Sequence, residues 1–481
     1  MKNKLKVNIL YNTVYQILIL LVPFITSPYV SRVLHPEGLG TYSVTTAIAK
    51  YFWMFALLGM ANYGNRTIAK ARGPKEIISS TFWNLFFFQL IIGIIASSAF
   101  FLYIIIWGYQ KYNIVILCQI PYLMAAVFEV SWFFYGTEQF RLMVVRNSAI
   151  KIATMISVFM FVRTENDVWI YALINTLSLL LGQLCLWPFV LKSTVFVKPN
   201  WTIVKSHLKP NIVLLVSVVA VSIYTLMDKI MIELLSYRAE VGYYENAEKI
   251  LNMCDGIVGS IGAVMLPRIS YLVGNNDISK VKEYLSKSMK YVMMLAIGIS
   301  FGMAGISKEF AVVFFGVEFE KCGTLIAVIC IAVLFYSWEN ILRTQYLLPN
   351  DKDKIFVKGT IYAALSNLIL NALFIPHLGA LGAVIGTVGA QIAAAFYQSF
   401  KVRRELPINQ YIKGLFPSAF VGVLMISLCR GLASLFGTQI WTIAIQVLIG
   451  SILYVVLMAI ILYKENDQMI MSIIQKIKKN I

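Results

Sequence analysis

Three charged residues stand inside one apolar stretch of this 481-residue chain: Asp228 and Lys229 side by side, followed by Glu233. At the centre of a bilayer-spanning helix each such charge costs roughly 2.5–3.5 kcal/mol on insertion scales. Ionisable groups at such depth are rare, and they indicate ion pairs, proton relays or binding sites for charged ligands. What these three groups can do therefore depends on whether the chain spans a membrane.

The composition predicts an all-α integral membrane protein. Hydrophobic residues make up 59% of the chain and charged residues only 13%, against about 45–50% and about 25% in soluble domains. The aromatic content of 14% fits interfacial belts of Trp and Tyr. The formal net charge of +18 is spread over many short loops, so it indicates orientation in a membrane rather than binding to nucleic acid.

Several kinds of chemistry are not expected. The six Cys residues are scattered singly, without a CxxC pair or a Cys/His cluster, so we expect neither disulfides nor a metal site. No Walker motif occurs, and the glycines of "GALGAVIGTVGAQ" (379–391) fit close helix packing; we expect no cofactor. The apolar stretch after "MKNKLK" lacks a cleavage site, so we interpret it as a first span rather than a signal peptide.

Apolar stretches of spanning length predict about fourteen transmembrane helices. They fall near 8–31, 41–63, 80–107, 112–135, 147–162, 168–191, 211–235, 243–266, 289–306, 322–348, 355–375, 380–400, 411–435 and 440–463. With both termini inside, 31 of the 41 Lys and Arg residues lie in inner segments, 7 in outer segments, and Lys50, Lys229 and Lys249 within spans. This bias predicts cytoplasmic N- and C-termini.

A weak internal repeat divides the chain. A shift of 202 residues places Gly40 on Gly242 and Tyr42 on Tyr244, and a shift of 212 places Arg146 on Lys358. An even number of spans per repeat predicts two six-helix lobes related by a parallel pseudo-two-fold axis, as in transporters that rock two halves around a central site. The predicted parts are a lobe over 1–190, a basic cytoplasmic linker over 191–210, a lobe over 211–400, and two additional helices with a basic tail over 401–481.

Several motifs resemble those of Wzx-type polysaccharide flippases. "SRVLHPEGLGTYS" (31–43) is similar to their R-x-L-G-P-x-x-x-G pattern, with His35 where the pattern usually has Gly. "DKIMIELLSYRAEVGYYENAEKI" (228–250) resembles their seventh-span signature, and "MLPRISYL" (265–272) and "NALFIPHLGALGAVIGT" (371–387) resemble later spans. The resemblance covers essentially the whole chain, and the superfamily, the multidrug/oligosaccharidyl-lipid/polysaccharide exporters, also holds MurJ and MATE proteins.

The resemblance implies a flippase and not an enzyme. Such a protein translocates undecaprenyl-diphosphate-linked oligosaccharide repeat units across the bacterial cytoplasmic (inner) membrane by alternating access, for O antigen or capsule. Membrane lipid, a polysaccharide polymerase and other assembly proteins are the candidate partners. A polar cavity with cations for the diphosphate is expected, while the lipid tail stays in the bilayer.

Two polar stripes are candidates for the cavity. On span 8, polar or small residues recur at helical spacing from Glu245 through Lys249, Asn252 and Asp255. On span 2, Lys50 falls about 15 Å along the helix from Gly40, which is deep for a side chain to reach the outer face. The alternative for Lys50 is an ion pair buried within one lobe.

The other in-span charges have two interpretations each. Arg66 and Arg268 at inner helix ends, and Arg32 at an outer end, either bind substrate or mark the interfaces; Lys229 lines the cavity or reaches the outer interface. The substrate-binding candidates are Lys50, Arg32, Arg66, Lys229, Lys249, Asn252 and Arg268. The candidates for ion coupling or pairing between lobes, which could equally be structural, are Asp228, Glu129, Asp255, Glu339 and Arg343.

Other functions remain as alternatives. A MATE-like cation-coupled drug exporter or a lipid II flippase would share the architecture, although the in-span lysines favour an anionic substrate over cationic drugs. A membrane-embedded polymerase or glycosyltransferase would need a large loop with paired acids or a metal-binding D-x-D motif. Neither occurs.

Overall fold

The computed structural model describes residues 2–71, 73–467 and 470–472. The described residues form helices with short connections and no strand, which confirms the predicted all-α membrane fold class. Twelve helical stretches in this part of the chain are long and apolar enough to cross a membrane. The first of them, Leu21–Lys70, covers the end of the predicted span 8–31 and all of 41–63, and the helix containing it begins at Lys2. Leu208–Leu235 is a further helix of 28 residues, so a helix lies over each of the fourteen predicted spans.

We number these helices α1 to α14. The helix Lys2–Leu57 is broken at His35, which separates α1 (residues 2–34) from α2, and α2 continues after a break at residues 58 and 59 through Met60–Lys70. The helices before the linker are then α3 (Lys75–Tyr112), α4 (Ile114–Gly136), α5 (Phe140–Phe161) and α6 (Glu165–Ser193). Those after it are α7 (Leu208–Leu235), α8 (Arg238–Gly274), α9 (Ile278–Phe315), α10 (Val317–Asn350), α11 (Asp353–Leu378), α12 (Ala380–Val402), α13 (Ile408–Phe436) and α14 (Ile440–Lys464).

Several of these helices are irregular inside. α4 consists of three short pieces, Ile114–Leu117, Ile120–Val127 and Ser131–Gly136. α3, α9 and α10 each contain one π-helical turn, at Ile104–Gly108, Ala311–Phe315 and Arg343–Leu347. Such turns and breaks leave backbone groups to be satisfied by neighbouring side chains, and they often occur near functional sites.

α5 and α9 extend well beyond their predicted spans. α5 begins at Phe140 and α9 covers Ile278–Phe315, whereas the apolar stretches predicted only 147–162 and 289–306. Charged residues such as Arg146 and Lys287 end an apolar window, but they do not end a helix, because lysine, arginine and glutamate are good helix formers.

The break between α1 and α2 occurs at a residue in an unusual backbone conformation. His35 has φ 56° and ψ 172°, a region that only glycine occupies readily. Pro36 follows and fixes the first turn of α2, since proline is well accommodated at a helix start. The departure from the flippase pattern at this position therefore places a side chain where glycine would avoid strain.

The helices form two compact units, Met1–Gly242 and Tyr243–Ile481. The first unit has a core rich in aromatic rings, including Phe82, Trp132 and Phe133. In the second, a cluster of aliphatic and Met side chains includes Leu285, Met293 and Leu342. α7 packs against α2 within the first unit, where the Tyr51 hydroxyl binds the Ser222 carbonyl oxygen and Gly59 lies against Leu214, so the compact units do not divide at the linker. The predicted six-helix lobes stay a prediction.

The linker over 191–210 is more ordered than a loop. It contains the helix Trp201–Ser206, capped by the Asn200 side chain, which accepts a hydrogen bond from the Thr202 amide at 2.9 Å. None of the six cysteines, all in the described part of the chain, forms a disulfide, and all except Cys185 are buried. This agrees with the interpretation of the cysteines as packing residues.

Candidate functional site

The polar side chains of α2 face two different neighbours in the first unit. Thr45 and Thr46 accept hydrogen bonds at 3.3 and 3.1 Å from Nε2 of Gln119 in α4. The Tyr51 hydroxyl donates to the Ser222 carbonyl oxygen of α7 at 3.2 Å. Lys50, between these contacts, is half-buried. The predicted polar stripe is therefore partly used for packing, and Lys50 remains its one strongly basic member at this depth.

Asp228 and Lys229 on α7 are both buried, with 0% and 7% of their surfaces exposed. The Asp228 carboxylate lies close enough to Tyr51 of α2 to interact with it electrostatically. The alternative in which Lys229 reaches the outer interface does not fit its burial. Both charges therefore belong to the interior of the helix bundle, where polar groups are paired or line cavities.

Glu233 has a separate role near the end of α7. Its carboxylate pairs with Lys111 of α3 at 3.2 Å and with Arg238 of α8 at 3.1 Å, while its side chain is only 5% exposed. Both cations lie over the ring of Tyr112, at 5.4 and 5.2 Å from its centroid. The sequence had not identified Lys111 or Arg238 as partners, because they lie far apart in the chain from each other and were assigned to loops.

Two glycines related by the repeat make reciprocal close contacts in the first unit. A Cβ atom on Gly40 would overlap the carbonyl oxygen of Arg238, and a Cβ atom on Gly242 would overlap the carbonyl oxygen of Pro36. The shift of 202 residues that relates Gly40 to Gly242 also relates Pro36 to Arg238. The starts of α2 and α8 thus cross backbone to backbone, each using the same position of its repeat.

Glu129 lies at a break inside α4 and organises a polar network. Its carboxylate accepts a hydrogen bond from the Ser131 amide at 3.0 Å and another from the side chain of Gln183 in α6. The Arg146 guanidinium of α5 donates to the Ser131 hydroxyl at 3.2 Å. The sequence had not indicated Gln183 or Arg146 as functional residues. Gln183 is a neutral amide that does not interrupt the apolar stretch, and Arg146 was assigned to a loop.

Glu339 on α10 makes the corresponding pair in the second unit. It is 6% exposed, and its Oε1 accepts a hydrogen bond at 3.0 Å from Nε2 of Gln398 in α12. In both units a glutamate on the fourth helix of the repeat is thus bound by a glutamine on the sixth. Arg343, one turn after Glu339, packs its guanidinium 5.5 Å from the ring centroid of Phe356.

The predicted stripe on α8 divides into two faces. Gly259 and Gly262 lie against Tyr336 and Asn340 of α10, where a Cβ on Gly262 would overlap the Asn340 side chain. Asp255, one turn earlier, has a buried Oδ1 without a hydrogen-bond partner among the described residues. The other face is exposed. It consists of Asn252, Gly256, Ser260 and Ala263.

Four substrate-binding candidates remain. Lys249 on α8 is half-buried and pairs with Glu245 at 3.6 Å and with the Asn246 side chain at 3.4 Å. Arg32, Arg66 and Arg268 are exposed, so burial does not distinguish binding from an interfacial position. Among the described residues, no cluster of three or more His, Cys, Asp or Glu side chains could hold a metal ion.

A further site in the second unit lies between α9, α13 and α14, and the sequence had given no indication of it. An apolar cavity of about 540 Å³ is lined by residues such as Met294, Gly298 and Met425. At one end Arg430 of α13 binds Glu309 of α9 at 3.2 Å, and Gln446 of α14 donates to the Cys429 carbonyl oxygen at 2.9 Å. This polar cluster fixes the last two helices against α9.

Known proteins are similar to this chain in sequence and in fold. The model of a family described as polysaccharide biosynthesis protein matches residues 5–273, more than half of the chain. A putative O-antigen transporter of Escherichia coli (strain K12) is 24% identical over 373 residues, which cover 77% of this chain and 89% of that protein. A putative O-antigen transporter of Shigella dysenteriae is 23% identical over 393 residues, covering 78% and 94%.

Two solved structures show the same fold. The lipid II flippase MurJ in an inward closed conformation has a TM-score of 0.75 at 17% identity, covering 95% of this chain and 99% of that one. An inward-facing multidrug resistance MATE family transporter has a TM-score of 0.60 at 16% identity, covering 83% and 96%. All four proteins are named as transporters or flippases rather than as enzymes. The chain belongs to the polysaccharide biosynthesis protein family, and its resemblance to Wzx-type flippases of the exporter superfamily that includes MurJ and MATE is confirmed.

Proposed function

We propose that this protein translocates undecaprenyl-diphosphate-linked oligosaccharide repeat units across the bacterial cytoplasmic membrane by alternating access, for the synthesis of a surface polysaccharide. The observation that carries the proposal is the pair of half-buried lysines, Lys50 on α2 and Lys249 on α8, in a chain of the polysaccharide biosynthesis family. A cation deep within a span is retained only at a cost, and an anionic diphosphate gives it a function. The names of the relatives support this substrate class.

The exposed face of α8 supports a polar passage for the glycan. Asn252, Gly256, Ser260 and Ala263 repeat at helical spacing, and all four are exposed. In a membrane helix such a polar and small face suits a water-filled cavity better than lipid. Sugar hydroxyls can exchange hydrogen bonds with water and with such a face as they move, so no rigid binding site for the glycan is required.

The apolar cavity between α9, α13 and α14 suits the prenyl tail. Its lining includes Met294, Met303 and Met425, flexible side chains that adapt to irregular apolar ligands. Gly298 and Gly450 also line the cavity, at points where Tyr454 and Cys429 pack closely against them. A tail held there would tether the lipid to the second unit, while its headgroup moves through the polar passage.

The buried carboxylates are the proposed coupling or lobe-pairing groups. Asp255 has a buried oxygen without a hydrogen-bond partner among the described residues, and Glu129 and Glu339 each hold a glutamine amide. A carboxylate that can exchange a proton or a monovalent cation for such a partner could drive a change between two conformations. Asp228 and Arg343 belong to the same proposal as charges that such a change would move.

The proposed setting is the cytoplasmic membrane with both termini in the cytoplasm, as the bias of Lys and Arg toward the predicted inner segments indicates. A polysaccharide polymerase and other assembly proteins are the proposed partners, because translocated repeat units must be joined on the far side of the membrane. A drug exporter would need a passage suited to cations, which the three in-span lysines disfavour.

The test is complementation of a strain that lacks its own repeat-unit flippase. We expect Lys50→Ala to abolish surface polysaccharide while the amount of protein in the membrane stays normal, because a cation for the diphosphate is lost from a half-buried position. Lys50→Arg should retain part of the function, since the charge is kept but its geometry changes. Immunoblotting of polysaccharide and of the tagged protein measures both.

The matched control is Lys282→Ala, which removes an exposed lysine from α9 and should leave the polysaccharide unchanged. Full polysaccharide in the Lys50→Ala strain would exclude the cavity role of Lys50. Complementation of drug resistance instead of polysaccharide by the native chain would replace the proposed function with that of a drug exporter.

A further inference from the structure

The linker between α6 and α7 is held against α3 along its length. The Val195 amide donates to the Ser79 hydroxyl at 2.9 Å, and the Asn200 amide donates to the Asn84 side chain at 2.8 Å. The indole of Trp83 donates to the Val195 carbonyl oxygen at 3.0 Å. We call residues 192–209 the linker strap. Its backbone has fixed partners, so its exposed side chains are displayed in a defined arrangement.

The end of the strap is fixed to α2. His207 is 7% exposed, and its Nδ1 forms a hydrogen bond of 2.9 Å with the hydroxyl of Tyr63. Burial lowers the pKa of His207, so the ring is neutral at pH 7. The strap therefore connects α2 and α3 at the end of the first unit that is predicted to be cytoplasmic.

Large apolar side chains of the strap are nevertheless exposed. Phe196 is 65% exposed although its ring packs 4.9 Å from that of Trp83, and Trp201 at the start of the linker helix is 61% exposed. Leaving such rings in water is unfavourable. Aromatic side chains at the ends of membrane helices instead prefer the headgroup region, where their apolar surface is covered by lipid.

The charge of the strap is of one sign. Lys192, Lys198, Lys205 and Lys209 are exposed, and the sequence from 191 to 210 contains no Asp or Glu. None of the four has an ion-pair partner within the described part of the chain. Lysines beside exposed aromatic rings are the pattern of segments that bind anionic lipid surfaces.

We propose that the linker strap is a binding surface for anionic phospholipid headgroups. Phe196 and Trp201 insert among the headgroups, and the four lysines contact the phosphates. Because the strap is bonded to α2 and α3, bound lipid holds the ends of these helices in place. This interaction is separate from the proposed transport of lipid-linked glycan, since it involves bulk phospholipid and lies outside the candidate cavity residues.

The test uses the purified full-length chain in detergent, titrated with short-chain phosphatidylglycerol or phosphatidylcholine. We expect the anionic lipid to raise the unfolding midpoint more than the zwitterionic lipid does. A variant with Lys192→Gln, Lys198→Gln, Lys205→Gln and Lys209→Gln should lose most of this difference. Each lysine near an anionic surface contributes about a fivefold change in affinity.

The control removes the same number of charges elsewhere, with Lys282→Gln, Lys354→Gln, Arg404→Gln and Lys413→Gln, all at exposed positions. It should keep the full preference for phosphatidylglycerol. An undiminished preference in the strap variant, or an equal loss in the control, would overturn the proposal in favour of a diffuse charge effect.

A second measurement tests insertion directly. A nitroxide on a single cysteine at position 201, in nanodiscs of phosphatidylcholine with or without phosphatidylglycerol, should show the oxygen accessibility of the headgroup region in the anionic discs. Accessibility typical of bulk water in both would contradict the proposal. Neither measurement depends on transport, so failure here leaves the proposed flippase function intact.

Discussion

At the scale of single residues, His35 departs most clearly from the backbone preferences of its residue type. The flippase pattern usually has Gly at this position, and the observed φ of 56° and ψ of 172° explain why, because a side chain in this region costs about 1–3 kcal/mol. The break it forms lets α1 end and α2 begin without a loop. The sequence identified the departure, but only the backbone geometry gives its cost.

We therefore expect His35→Gly to be more stable than His35→Ala, with a difference in unfolding free energy of about 1 kcal/mol or more. Both variants remove the imidazole and its contacts, so the comparison isolates the backbone conformation. Chemical denaturation in detergent measures the two midpoints. If His35→Ala proved as stable as His35→Gly, the strained conformation at this position would be excluded.

Asp228 and Lys229 are adjacent but project about 100° apart around α7. Both are buried, and Asp228 more completely. A buried carboxylate that loses its charge leaves a neighbouring cation uncompensated, at a cost of roughly 3–5 kcal/mol. We expect Asp228→Asn to reduce complementation strongly and to lower the unfolding midpoint.

Lys229→Gln should be milder, because glutamine keeps a polar side chain at this buried position that still forms hydrogen bonds. Complementation and unfolding are measured for both variants, with Glu138→Gln at an exposed position as the control. Equal tolerance of both substitutions, or the reverse order, would contradict distinct roles for the two charges.

At the scale of elements, the crossing of α2 and α8 depends on two glycines. Each lies against a backbone carbonyl, of Arg238 for Gly40 and of Pro36 for Gly242, and small residues are what lets membrane helices approach this closely. Because the two contacts are reciprocal, Gly40→Val and Gly242→Val should have similar effects. We expect each to lower the unfolding free energy by about 1–3 kcal/mol and to impair complementation.

The control for the crossing is Gly431→Val on α13, since no atom lies within 4 Å of a Cβ at that position. It should be stable and functional. Denaturation midpoints and polysaccharide blots are compared across the three variants. A tolerated substitution at one glycine together with a damaging one at the other would show that the crossing is not reciprocal in function.

Sequence reasoning predicted the elements well and their contacts poorly. Spans follow from apolar length, which the bilayer sets, so all fourteen helices were predicted. Their ends were less accurate, because α5 and α9 extend through charged residues. The pairing of Glu233 with Lys111 and Arg238, and of Glu129 with Gln183, depends on residues brought together from distant helices, which neither periodicity nor hydropathy records.

At the scale of the whole molecule, the two halves of the predicted repeat contain a matching pair of side chains. Glu129 with Gln183 is a partly buried glutamate–glutamine pair and Glu339 with Gln398 a buried one, each joining the fourth and sixth helices of its predicted repeat. The few identities between the repeats could not have shown this, because the two pairs lie at different shifts along the sequence. Each unit therefore contains its own polar site, built around one glutamate–glutamine pair.

The last prediction concerns the orientation of the whole chain. Inner segments hold 31 of the 41 Lys and Arg residues, and moving such segments across the membrane is unfavourable. In a background without the six native cysteines, Glu37→Cys and Val317→Cys should react with an impermeant maleimide on intact cells. Gly73→Cys and Lys198→Cys should react only after permeabilisation. All four positions are exposed, so access from one side, and not burial, decides the labelling. Labelling of position 198 on intact cells would invert the chain and would place the linker strap against the wrong leaflet.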